Sequence, residues 1–184
     1  DCCDLRYVRH QIRDGKYGLT GLPAVSAGEG EAQTLEIVLE DPVSHVQVRL
    51  LYGVLAAEDI ITRSAVIRNC GSEEIIVEKE ESACLDFISG VYDLISFYGR
   101  HTMERNVQRT PVAHGSLMIG SLRGTSSHQY NPAVILAEQS ATEDAGGCYG
   151  LMFVYSGNFQ CEAQRDQYEQ TRVVMGLQSD KFHY

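Results

Sequence analysis

The 184-residue chain has no tryptophan, only four prolines and no C-x-x-C pair. Nowhere does it string together the roughly 18 apolar residues that a membrane-spanning helix needs. Its opening, "DCCDLRYVRH", lacks the apolar stretch of a signal peptide, and the missing initial Met reads as the mark of a cut piece. Basic residues are scarce: 15 Lys and Arg stand against 25 Asp and Glu, for a net charge of -10. Phosphate binding relies on clustered Lys and Arg, so neither a nucleic-acid nor a membrane partner is expected. The acidity serves solubility instead. The six cysteines are Cys2, Cys3, Cys70, Cys84, Cys148 and Cys161. The first two are adjacent, and the others stand singly in strand-like text such as "SACLDF" and "CYGLMFV". They read as free, buried thiols of a reducing compartment rather than as a disulfide framework. Without paired Cys/His spacing there is no zinc motif, and without a phosphate-cradling glycine loop there is no nucleotide motif. No metal or cofactor is expected.

What is present is a succession of short β-like runs. The length fits one domain over residues 1–184, and 43% hydrophobic with 22% charged residues is ordinary for a globular protein. "TLEIVLE" (34–40) puts Leu35, Ile37 and Leu39 on one face and Thr34, Glu36, Val38 and Glu40 on the other. "VQVRLLYGV", "IITRSAVIRN", "IIVEKEESACLDF", "YDLISFYG", "GSLMIGSL", "AVILAEQ", "CYGLMFVYSG", "FQCEAQRDQ" and "RVVMGLQ" follow, with Gly, Asn or Asp at the breaks. The β-branched and aromatic enrichment predicts antiparallel strands, and no 3.6-residue apolar period persists beyond two turns. That many strands must hide their apolar faces against each other, so the expected fold is all-β, a large antiparallel sandwich with few or no helices. "SAGEGEA" (26–32) and "ATEDAGG" (141–147) read as hairpin tips.

The most enzyme-like text is "RGTSSHQYNP", Arg123 to Pro132. A Ser nucleophile needs a base brought from elsewhere and a third group to orient it. Ser127 and His128, adjacent on extended chain, would point to opposite sides, and no G-x-S-x-G elbow is present. Gly124, Ser126, Ser127 and Asn131 are residue types with which a structured loop satisfies its own backbone, and Pro132 fits the first position of the next strand. The expected role is therefore structural. Asp86, Asp93, Glu104 and Asp166 are candidates for paired carboxylates, but spacing does not choose a pair. "GRHTMERNVQR" (99–109) gathers Arg100, His101, Glu104, Arg105 and Arg109, and reads equally as a ligand-facing loop or an ion-paired surface strand.

Four blocks carry a resemblance. "DLRYVRHQI...G...GLPA", "YDLISFYGRHTMERNVQR", "RGTSSHQYNP" and "YSGNFQCEAQRDQYEQTRVVMG" together resemble the N-terminal domain of family 36 α-galactosidases, from about Asp4 to Phe182 and in the family's order. "GRHTMERN" is similar to the branch found in anaerobic, gut-type Gram-positive bacteria. The resemblance implies a galactose-mutarotase-like β-supersandwich, followed in the whole enzyme by a catalytic (β/α)8 barrel and a small β domain. It implies retaining hydrolysis of terminal α-D-galactosides of the melibiose and raffinose type by two aspartates, in K-W-D and S-G-G-G motifs, in a cytoplasmic bacterial homo-oligomer (dimer or tetramer) without metal or organic cofactor. Neither motif is in this chain, and a barrel of about 250 residues has no room here. No catalytic residue is expected, and the segment alone is expected to be inactive. In some family members a Trp of one subunit's N-terminal domain reaches the neighbour's galactose pocket. The resemblance places His101 in that slot, with Arg100, Glu104 and Arg105 positioning the loop. His for Trp exchanges a stacking face for a hydrogen-bonding ring. Ser126, Ser127, His128 and Asn131 become a signature loop that holds the sandwich together or seats it against the barrel. The alternatives are a free-standing carbohydrate-binding module, disfavoured by the lack of Trp, and a purely structural β domain.

Overall fold

The structure, a computed structural model, describes residues 3–178 and 182–183. Among them are fourteen β-strands and no helix, as the sequence predicts. The described residues divide into two compact units, 3–77 with 182–183, and 78–178.

In the first unit β1 (Arg6–Asp14), β2 (Gln33–Asp41), β3 (Val46–Leu55) and β4 (Ile60–Asn69) form an antiparallel meander in chain order. The same unit holds a separate short pair, β5 (Ile76–Val77) with β14 (Phe182–His183). Asp41 builds the β2–β3 turn: its Oδ1 accepts the N–H groups of Val43 at 2.8 Å and Ser44 at 3.3 Å, while its Oδ2 accepts that of Asp4 at 3.1 Å. These donors, Val43 foremost, hold its carboxyl well below the usual carboxylate range.

The alternation in β2 is present, but the deeply buried side chains are Thr34, Glu36 and Val38, while Leu35, Ile37 and Leu39 are half-buried. The connection after β1 explains this. Tyr17 is buried, donates its N–H to Thr34 Oγ1 at 2.9 Å and hydrogen-bonds Ser64 Oγ through its hydroxyl at 2.9 Å. Glu36 survives burial because Arg49 grips both its oxygens, at 3.2 and 2.9 Å, which lowers its pKa.

The second unit contains β6 (Glu80–Phe87), β7 (Tyr92–Arg100), β8 (Met103–Pro111), β9 (Gly115–Ser121), β10 (Tyr130–Glu138), β11 (Cys148–Met152), β12 (Phe159–Arg165) and β13 (Thr171–Leu177). One sheet has the order β11-β10-β7-β8 and another β12-β13-β6, with β9 lying against β12. Inward residues of both sheets make one core, including Leu94 of β7, Val134 and Leu136 of β10, Phe159 and Cys161 of β12, and Val173 of β13.

Three sequence expectations are corrected here. Of the five described cysteines, all free thiols, only Cys161 is buried; Cys3, Cys70, Cys84 and Cys148 are exposed. Cys84 is one step out of phase with Ala83, which packs on the core, and Cys148 begins an edge strand. Burial pushes the Cys161 thiol up to about 12. Pro132 is the third residue of β10 rather than its first, and the ladder to β7 breaks register around it, between Tyr130 and Val134. "IIVEKEESACLDF" is two strands, β5 and β6, rather than one.

Glu81 and Glu162 share Lys79, at 3.1 and 3.4 Å. Glu162 also accepts Ser116 Oγ at 2.6 Å and Gln164 Nε2 at 2.5 Å, and its pKa falls through these bonds. Both oxygens of Glu81 are buried without a well-directed hydrogen bond, and desolvation raises its pKa. A carboxyl with a raised folded-state pKa gives stability that is full below its unfolded pKa and is lost as pH rises through the folded value. Glu81→Gln is therefore expected to stabilise the chain by about 1 kcal/mol at pH 7.5, because a neutral amide costs less to desolvate than a carboxylate. The gain should shrink as pH falls towards 5. Urea midpoints of both proteins across that range test it, and a gain independent of pH would refute the desolvation argument.

Candidate functional site

The β7–β8 hairpin carries His101 at its tip. Arg100 pairs with Met103 across a two-residue connection, and Thr102 takes φ 67 there. Below the tip, Tyr98 pairs with Asn106, so β8 spends one residue more than β7 over this step. The surplus is a β-bulge with Arg105 at φ 61. Gly99 makes the close approach possible: a Cβ there would lie 2.2 Å from the Met103 carbonyl oxygen and 2.8 Å from Glu104 Cα. The bulge re-aims Glu104 towards the tip, where Oε1 accepts the Thr102 N–H at 2.9 Å. Backbone N–H groups hold its carboxyl below the ordinary range, with smaller contributions from His128 and His101.

The β9–β10 loop contains the signature residues. Ser121 Oγ donates to the Thr125 carbonyl at 2.6 Å, Gly124 N–H donates to Asn158 Oδ1 at 2.6 Å, and Ser126 N–H donates to the Ser156 carbonyl at 2.8 Å. Ser127 is not extended, as the sequence reading assumed. It takes φ 62, and its Oγ accepts the Gln129 N–H at 3.2 Å, a local Ser turn. Its hydroxyl is thus engaged with backbone, and the polar partner of His128 is Glu104 on β8, with Nδ1 3.6 Å from Oε1. Asn131 is half-buried at the start of β10. The Gly99 N–H donates to the Gln129 carbonyl at 3.1 Å and ties the loop to the hairpin.

The exposed rings of His101 and His128 stand 6.1 Å apart at 63°. One donor atom from each of His101, Glu104 and His128 lies within 4.8 Å of the others. No spacing in the sequence announces this group, because His128 arrives from a different loop. Beside it, Tyr98, Gly99, Arg100, Met103 and Asn106 line a shallow recess of about 290 Å³.

The remaining candidates have other employment. Asp86 is bound by Arg172 at 2.6 and 3.1 Å. Asp93 is bound by Arg109 at 2.6 Å, and Asp166 Oδ1 accepts the Tyr168 and Gln170 N–H groups at 2.8 and 2.9 Å. Of the two readings of "GRHTMERNVQR", Arg109 follows the ion-paired strand, while His101 and Glu104 remain open to a ligand.

The glycosyl hydrolase family 36 N-terminal domain model matches residues 1–184. The bifunctional α-galactosidase/sucrose kinase AgaSK of Mediterraneibacter gnavus is 59% identical over 184 residues, 100% of this chain and 20% of that protein. Among solved structures, the α-galactosidase AgaA of Geobacillus stearothermophilus in complex with stachyose aligns with a TM-score of 0.93 at 39% identity, over 99% of this chain and 27% of that one. The α-galactosidase of Lactobacillus brevis aligns with a TM-score of 0.95 at 34% identity, over 99% of this chain and 25% of that one. The chain thus spans about a fifth to a quarter of the length of these relatives. The motif blocks, the strand content and the end-to-end family match agree, and the chain belongs to the glycosyl hydrolase family 36 N-terminal domain family.

Proposed function

We propose that this chain works as the N-terminal β portion of a bacterial, cytoplasmic α-galactosidase that hydrolyses terminal α-D-galactosides with retention. In this reading the two catalytic aspartates belong to a barrel outside residues 1–184. The segment itself serves homo-oligomer assembly, seats against its own barrel and shapes the active-site rim. The observation that carries the reading is the family match over all of residues 1–184, together with alignment to a relative solved with stachyose, an α-galactoside. His101 is the residue assigned to the rim: it is exposed at a hairpin tip, on backbone held by a bulge and by the β9–β10 loop.

The test is made in the whole enzyme encoded by the source gene. Reading that gene past the codon for Tyr184 should reveal the barrel and its two aspartate motifs, and a stop codon within a strand or two would end the enzyme reading. With raffinose as substrate, His101→Ala should raise KM by about 3–10-fold at unchanged kcat, the cost of one hydrogen bond made equally in ground and transition states. His101→Trp, which supplies a stacking face, should lower KM instead. Kinetics untouched by both changes would leave only the structural role.

A further inference from the structure

We infer that His101, Glu104 and His128 form a binding site for one borderline divalent transition-metal ion of the Zn²⁺ class. Two imidazoles and a carboxylate are the donor set that such ions accept in four-coordinate sites with one position left for water. Hard cations such as Mg²⁺ and Ca²⁺ prefer all-oxygen shells.

The geometry is close to what coordination requires. At zinc–ligand bonds of about 2.0–2.1 Å, tetrahedral donors stand roughly 3.3 Å apart. The His128 Nδ1 to Glu104 Oε1 separation is 3.6 Å, and all three donors lie within 4.8 Å of one another. Closing the remaining gap asks for small rotations of two exposed imidazoles whose rings already face one another edge-on. The less mobile member is Glu104, whose Oε1 is already held by the Thr102 N–H at 2.9 Å.

The backbone supports the same convergence. Non-glycine residues with positive φ are uncommon, yet Thr102, Arg105 and Ser127 all adopt it, at 67°, 61° and 62°. Each is the immediate neighbour of a ligand: Thr102 of His101, Arg105 of Glu104, Ser127 of His128. The Gly99–Gln129 hydrogen bond fixes the two loops side by side, so the backbone of the site is set before the ion arrives. Much of the ordering cost is then met by the fold rather than by metal binding.

This inference does not rest on the α-galactosidase reading and is tested without sugar. The untagged chain, with its exposed thiols alkylated by iodoacetamide, is titrated calorimetrically with ZnCl₂ at pH 7.5. The expected result is one equivalent bound with a micromolar Kd, unaffected by millimolar MgCl₂. Removing a direct ligand should cost at least as much as removing an outer-shell partner, so His101→Ala, Glu104→Gln and His128→Ala should each weaken binding by about 100-fold. Co²⁺ should bind the unaltered chain with visible absorption bands that the variants lose. Circular dichroism verifies that each variant is folded, and Glu104→Gln, the mildest change, decides if a histidine variant is not. Absence of binding below millimolar Zn²⁺, binding indifferent to all three substitutions, or displacement by Mg²⁺ would each overturn the assignment.

Discussion

Truncating Phe159 to Ala should cost the chain about 4 kcal/mol of folding stability, within the usual range for a large buried aromatic. Phe159 has 0% of its surface exposed and is among the largest fully buried side chains described. It opens β12, where Phe159, Cys161 and Ala163 all face the shared core of the second unit. Its surroundings are poorly placed to collapse into the void. The Phe159 carbonyl oxygen sits 2.5 Å from where a Cβ on Gly120 would stand, so β9 already lies as near as backbone allows. On the other side β13 is held by a ladder that runs from Phe159–Leu177 to Arg165–Thr171. A cavity beneath a strand pinned along both edges retains most of its volume, and the cost grows with that volume. Urea unfolding followed by far-ultraviolet circular dichroism reads the change. As a control, Val107→Ala on the exposed side of β8 should stay within about 0.5 kcal/mol. A loss below about 1 kcal/mol for Phe159→Ala would mean that the two sheets do not share one close-packed core.

Strands such as β12 were legible because successive side chains point to opposite faces. That leaves a period-two alternation of apolar and polar residues in the sequence even where, as in β12, both kinds are buried. "FQCEAQR" and "TLEIVLE" alternate, and both are strands in the structure. The strands that escaped are the ones without a buried face. β1, "RYVRHQIRD", is exposed at every position and lies at a sheet edge, so no selection for apolar alternation reaches it. β8, "MERNVQRTP", is likewise an edge strand, mostly exposed, and its polar text left loop and strand equally open. Side-chain polarity also misled about depth. Thr34 and Glu36 are more buried than Leu35 and Ile37 because Tyr17 and Arg49 satisfy them, and those partners lie outside the strand itself. The His101–Glu104–His128 group was invisible for a related reason. A bulge at Arg105 and a left-handed Ser127 bring its members together, and neither position carries the glycine or asparagine that usually signals such backbone. The family, by contrast, was legible in blocks of sequence whose order no single strand explains.

The second large effect falls on Arg109. Replacing it with Met should destabilise the chain by about 3 kcal/mol, the lower end for breaking a buried ion pair from one side, because the arginine itself is partly exposed. Its guanidinium donates Nε to Asp93 Oδ2 at 2.6 Å, Nη1 to the Ala141 carbonyl at 2.9 Å, and Nη2 to the Glu138 and Gln139 carbonyls at 3.0 Å each. One side chain of β8 thus neutralises a buried carboxylate on β7 and satisfies three carbonyls where the chain leaves β10. Asp93 Oδ1 is already buried without a hydrogen bond, so the carboxylate has little else to turn to when Arg109 is gone. Lysine should not rescue the loss, since a single ammonium cannot reproduce a planar fork with donors on three nitrogens. Asp93→Asn combined with Arg109→Met should be clearly less damaging than the sum of the single changes, by about 1–3 kcal/mol, as expected for residues in direct contact. Urea unfolding of the four proteins measures that coupling. Additive effects would assign the whole loss to the three carbonyls and none to the ion pair.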